Sequence, residues 1–139
     1  MKILAVDYGD ARTGLAICDK AEMMASPVKV VASYNREKAV AEIAAIAVEL
    51  GAEEIVVGNP LNMNGTAGPR SELCHEVAAA LREKVSVPVV MWDERSTTVS
   101  AIGILNQTDV RGKKRKAVID AVAATLILES YMAYRKNKK

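Results

Sequence analysis

The sequence predicts an α/β fold: a mixed five-stranded sheet, three antiparallel strands followed by parallel ones, with helices on both faces. Three observations lead there. Short apolar runs come first in succession and then alternate with longer segments whose apolar residues recur at helical spacing. Two of the apolar runs end on carboxylates, Asp7 and the pair Asp93–Glu94. Half of the 139 residues are hydrophobic, enough for a real core and, by length, for one domain spanning 1–139. With 4% aromatic residues and no Phe, that core must be aliphatic.

Ile3-Leu4-Ala5-Val6 has the pattern of a strand buried on both faces. Gly9 and Gly14 bracket a polar turn, and Leu15-Ala16-Ile17-Cys18 begins a second apolar run, so a β-hairpin is expected with Asp7 at the tip of its first strand. Gly9 can take positive φ and lets backbone or ligand approach closely. An Asp ending an apolar strand is costly to bury unless something positive meets it, such as a metal ion or a phosphate chain bringing its own Mg²⁺. A plain turn residue with a local Asx hydrogen bond is the alternative. The pattern Asp7-x-Gly9-x₄-Gly14-x-Ala16 is shared by actin-like ATPases and sugar kinases on one side and RNase H-like nucleases on the other. Alone, it does not choose between them.

The branched run after Pro27 reads as a third strand, with Pro27 at its start where a missing N–H is tolerated. Asn35 is a plausible N-cap for a helix over Arg36–Leu50, with Val40, Ile43, Ala44, Ala47 and Leu50 inward and Gly51 as its stop. Glu54–Gly58 is a fourth strand. It opens into a loop rich in Gly, Asn and Pro (59–69), which leads to a helix from about Arg70 to Lys84. Backbone N–H groups ahead of a helix can receive an anion, but the loop lacks the Lys-Ser/Thr of a P-loop. Val89–Trp92 is the fifth strand; Ser96 or Thr97 can cap a helix running through Ala101 to Leu105. Gln107–Lys116 reads as a basic loop, and the last helix as running from Lys114 or Arg115 to about Tyr134. Inside it, Asp120 shares a face with Ala117, Ala123, Ala124 and Ile127, an apolar setting that asks for a ligand or a structural partner.

The formal net charge of +2 hides an asymmetry. From Asn106 onward there are nine Lys or Arg against three acids, a local balance of +6, which leaves −4 on the first 105 residues. A basic quarter on a near-neutral domain suggests an anionic partner. Cys18 and Cys74 show no metal spacing, and His75 is the sole histidine, so neither a zinc set nor a disulfide framework is expected. No apolar run is long enough to cross a membrane, and a reduced, cytoplasmic setting is the expectation.

In the expected sheet, the carboxyl ends of the first and later strands meet where strand order reverses, the usual ligand crevice of such folds. Asp7 and Asp93–Glu94 fall there, and Asp120 on a covering helix could complete the cluster.

Four segments then stand out together: VDYGDARTGLA (6–16), VGNPLNMNGT (57–66), DERSTT (93–98) and DAVAATLIL (120–128). In this order they resemble the YqgF family, also called RuvX, within the RNase H-like superfamily, over nearly the whole chain. Members of that family are described as Holliday junction resolvases, by analogy to RuvC, and as nucleases trimming the 5′ end of pre-16S ribosomal RNA. The resemblance implies a metal-dependent hydrolase of phosphodiester bonds with Asp7, Glu94 and Asp120 as catalytic acids and ligands for two Mg²⁺ or Mn²⁺ ions. Asp7 would bridge both ions. Asp93 and Glu94 alternate along a strand, so one of them should face the site; spacing leaves Asp93 open as the alternative, and the resemblance selects Glu94. Arg12, Arg95, Arg111, Lys113, Lys114, Arg115 and Lys116 would meet phosphates, and a loop carrying Asn59, Asn62 and Asn64 would grip the backbone beside the cut. The partner would be pre-16S rRNA or branched DNA, and a resolvase would be expected to act as a homodimer. Two rivals stand beside this reading. An actin-like ATPase needs a second domain to enclose its nucleotide. A non-catalytic nucleic-acid-binding protein needs the basic segment but not three converging acids.

Overall fold

The computed structural model describes residues 1–9, 12–33, 35–60, 68–93 and 112–138, with the side chains of the last segment described over 122–136. The strands are β1 (Ile3–Asp7), β2 (Arg12–Cys18), β3 (Ala25–Ala32), β4 (Glu54–Asn59) and β5 (Val89–Asp93). The helices are α1 (Arg36–Leu50), α2 (Pro69–Lys84) and α3 (Gly112–Lys138). They form one sheet in the order β3-β2-β1-β4-β5. β1 pairs antiparallel with β2 and parallel with β4; β2–β3 is antiparallel and β4–β5 parallel. This is the mixed sheet that the sequence predicts, of RNase H-like type.

The pleat divides the core in two. Leu4, Val6, Leu15, Ile55, Val57 and Val89 face α1 and α2. Ile3, Ala5, Ala16, Cys18 and Val56 face Ala124, Ile127, Leu128, Tyr131 and Met132 of α3. Helices on both sides explain why Ile3 to Val6 are all fully buried, and hence why β1 is apolar without alternation. Local signals act where expected. The Asn35 side chain accepts from the Lys38 N–H, and Gly51, at φ 70°, closes α1 by donating to the carbonyls of Ala47 and Val48. Pro27 lies on the edge strand β3, where its missing N–H costs nothing to the sheet. Cys18 and Cys74 are buried and form no disulfide.

The C-terminal helix differs from expectation at both ends. It starts at Gly112, so Lys113 to Lys116 are helical backbone rather than loop, and it continues past Tyr134 to Lys138. The reason at the far end is tertiary. Arg135 donates from Nε to Glu22 at 2.7 Å, and Glu22 also receives the Met1 ammonium at 3.1 Å. One turn earlier, the Tyr131 hydroxyl donates to buried Glu54 at 2.5 Å, which lets a carboxylate open β4. The helix expected over 96–105 lies outside the described residues.

Glu22 holds a left-handed φ of 55°, uncommon for a residue with a side chain. The hydrogen bond from Arg135 pulls its carboxyl from 4.5 down to about 2. A folded-state value below the unfolded one stabilises the fold above about pH 4.5, and that contribution is lost as pH falls toward 2. Wild type should therefore lose thermal stability between pH 5 and 3 more steeply than Glu22→Gln, by roughly 1–2 kcal/mol. Parallel melting curves of the two proteins from pH 7 to 3 would refute this if their difference did not change with pH.

Candidate active site

The chain leaves β1 toward β2 and β3 on one side, then returns through α1 to β4 on the other side of β1. In open α/β sheets such a reversal is the usual place of a ligand crevice, here at the carboxyl ends of β1 and β4. Each parallel strand ends there on a polar residue: Asp7 on β1, Asn59 on β4 and Asp93 on β5. Asn59 and Asp93 are direct partners in the β4–β5 register.

Alternation separates these residues by face. Asp7 follows Ile3 and Ala5 onto the α3 side. Arg12, four residues before Ala16 on β2, shares that side. Asp93 follows Val89 and Met91 onto the α1–α2 side. So does Asn59, whose Oδ1 accepts from the hydroxyl of Ser71 in α2 at 2.5 Å. Asp93 and Asp7 thus leave the sheet on opposite faces. Asp120 lies within α3, but its side chain is outside the described residues, as are Glu94, Asn62, Asn64, Arg95 and Arg111. Of Lys113, Lys114, Arg115 and Lys116 only the helical backbone is described. Among the described residues, no group of three or more His, Cys, Asp or Glu could hold a metal ion.

The turn that presents Asp7 depends on Gly9. A Cβ at Gly9 would stand far inside contact distance of the Arg12 carbonyl oxygen, which is backbone and has no easy way to yield. Gly9 is not at positive φ; among the described glycines that conformation belongs to Gly51. What Gly9 supplies is close approach of backbone, not the positive φ expected as its other use. Thr13, almost fully buried, closes the same turn through its Oγ1, 3.5 Å from both the N and O of Gly9.

Two residues at this edge had no sequence signal beyond starting a helix. Ser71 is fully buried beneath Asn59. Arg70 donates from Nη2 to the Tyr8 carbonyl at 2.7 Å.

A family model described as "RuvX: Holliday junction resolvase" matches residues 1–134. The chain belongs to the RuvX family. Among its relatives, a protein of Halothermothrix orenii named "Putative pre-16S rRNA nuclease" is 42% identical over 137 residues, covering 99% of this chain and 98% of the relative. One of the same name from Geobacillus kaustophilus is 42% identical over 134 residues, covering 95% and 97%. Among solved structures, T. thermophilus RuvC in complex with a Holliday junction substrate matches with a TM-score of 0.63 at 13% identity, covering 99% of this chain and 96% of that one. The fowlpox virus resolvase with junction DNA matches at 0.59 and 14% identity, covering 97% and 99%. At such identities the likeness is one of fold. The RuvX match spans nearly the whole chain, the strand-end Asp7 included. No helix among the described residues is long and apolar enough to cross a membrane.

Proposed function

We propose that this RuvX-family chain is a divalent-metal-dependent nuclease that hydrolyses phosphodiester bonds of structured nucleic acid, and that its role is trimming the 5′ end of pre-16S rRNA. The observation that carries the reading is Asp7: a carboxylate closing a fully buried strand, at the strand-order reversal, on the face covered by α3.

The other two acids would share that face. Asp120 precedes Ile127 by seven residues and Tyr131 by eleven, the spacing of one helical stripe, and Ile127 and Tyr131 are turned to the sheet. Tyr131 meets Glu54 at the start of β4. From there the helix climbs about 16 Å back to residue 120, and β4 climbs about 16 Å to Asn59, so position 120 comes level with the strand ends. On β5, Val90 and Trp92 face α3, so Asp93 leaves the sheet on the side away from Asp7. This argues against Asp93 and supports Glu94, the acid that the family resemblance selects.

Carboxylate oxygens without His or Cys suit a hard cation such as Mg²⁺ or Mn²⁺. Asp7 would hold both ions, Glu94 and Asp120 one each; when bound, two such ions neutralise the phosphate charge and acidify the attacking water. Arg12, on the Asp7 side, and Arg95 would meet phosphate oxygens, while the segment carrying Asn59, Asn62 and Asn64 would border the scissile strand. Arg111, Lys113, Lys114, Arg115 and Lys116 would extend the contact along the backbone.

Cleavage of a labelled RNA carrying the 5′ flank of 16S rRNA, with and without Mn²⁺, tests the proposal. Failure to cut it while cutting a four-way DNA junction would favour resolution of branched DNA, the reading suggested by the description of the family model. Sedimentation on the junction would then be expected to show a two-fold dimer. Binding without cleavage of either would leave a non-catalytic binding protein. Changing Lys113, Lys114 and Lys116 to Ala should lower the slope of log affinity against log salt by about 2–3 and spare the fold. An unchanged slope would remove the basic helix start from the interface.

A further inference from the structure

We infer that Arg70 is a positioning residue for Asp7; the inference rests on the nuclease reading above. Two consecutive residues in the first turn of α2 reach the two strand ends that border the crevice. Ser71 donates to Asn59 at the end of β4, and Arg70 donates to the carbonyl of Tyr8, the residue that follows Asp7. Arg70 and Tyr8 are 62 residues apart in sequence, so this bond is a tertiary tie between the helix and the β1–β2 turn. The turn's Thr13–Gly9 contacts are long, at 3.5 Å, and Gly9 contributes no side chain to pack. Tyr8 is buried on the α1–α2 side, so its ring holds the peptide from one side while the Arg70 guanidinium fixes the carbonyl. The backbone between Asp7 and Gly9 sets where the Asp7 carboxylate points. A misplacement of about 1 Å at a reacting centre can cost about a hundredfold in rate.

The same helix supplies its own control. Near its other end, Arg82 donates from Nη2 to the Val89 carbonyl at 2.8 Å. This is the same kind of clamp, guanidinium on a strand carbonyl, but at the amino end of β5 and away from the crevice. A purely structural role predicts similar behaviour for the two arginines. A positioning role does not.

The test compares full-length wild type, Arg70→Ala, Arg70→Lys, Arg82→Ala and Asp7→Asn. Each is measured for kcat and KM on a labelled RNA hairpin with a 5′ extension in Mn²⁺, at a temperature where all are folded. Hydrogen exchange of the peptide covering 7–13 is followed by mass spectrometry. For Arg70→Ala we expect at least tenfold faster exchange in that peptide, a kcat lower by 10- to 100-fold and a KM within threefold. Arg70→Lys, which keeps one donor in reach, should recover part of the kcat, and Arg82→Ala should stay within twofold of wild type. Unchanged exchange in Arg70→Ala overturns the proposal. So does a loosened turn with kcat intact, or an equal kcat loss in Arg82→Ala. A wild type that cuts no more than Asp7→Asn sinks the nuclease reading and with it the catalytic meaning of Arg70; the exchange measurement still shows separately whether Arg70 holds the turn.

Discussion

Asp7→Asn should abolish metal-dependent cleavage, lowering the rate by more than about a hundredfold, and leave the melting temperature without metal unchanged or slightly higher. Asn keeps the shape of Asp and one oxygen but loses the charge that would hold a divalent ion. The change therefore removes a ligand without opening a cavity. If Glu94 and Asp120 converge on Asp7, the metal-free site stores like-charge repulsion, and deleting one charge relieves it; a conflict between stability and function is expected of such sites. Mn²⁺ should raise the melting temperature of wild type and not of the variant, since a ligand stabilises only the state that binds it. A structural Asp7 predicts the reverse: a loss of roughly 1 kcal/mol from a broken hydrogen bond, with the response to Mn²⁺ retained. Melting curves of both proteins with and without Mn²⁺, alongside the cleavage assay, decide between them.

Gly9→Ala should be the most damaging single-methyl change at the site. The added Cβ must displace the Arg12 carbonyl or the turn itself. Overpacking against backbone costs roughly 2–3 kcal/mol, which in a chain of this size lowers the melting temperature by roughly 6–15 °C. Because the same turn presents Asp7, cleavage should fall beyond what the lost stability explains, even well below the melting point. Gly51→Ala is the informative contrast. Its strain comes from a left-handed φ of 70° at the end of α1, with open space around the missing side chain, so it should cost about 1 kcal/mol and leave kcat alone. Equal effects on kcat from the two substitutions would show that the Gly9 turn has no special tie to the reaction.

Much of the architecture could be read from the chain because the signals are local. Asn35 and Gly51 bound α1 where their side-chain and backbone chemistry requires. The continuous apolar run of β1 announces helices on both faces, and both are present. The ends of α3 could not be read in the same way. Past Tyr134 the sequence turns basic, which by itself resembles a frayed tail; what continues the helix is Glu22, 113 residues away in sequence. Glu54 was equally opaque, since the Tyr131 hydroxyl that meets it lies 77 residues away in sequence.

The candidate site divides along the same line. Composition and order alone set out a carboxylate after an apolar strand, a tight glycine turn, a later acid pair and an acid inside an apolar helix; these belong to the sequence because each is a local conflict between polarity and pattern. Which face each residue takes was decided only by the folded sheet. Period-two alternation puts Asp7 and Arg12 with α3 and sends Asn59 and Asp93 toward α2, a distinction that requires knowing which helix covers which face. Arg70 and Ser71 look in sequence like the polar first turn of a helix. Their partners, Tyr8 and Asn59, come within reach only when α2 packs against β4 and β5, because a hydrogen bond spans about 3 Å of space and carries no trace of the chain between its ends.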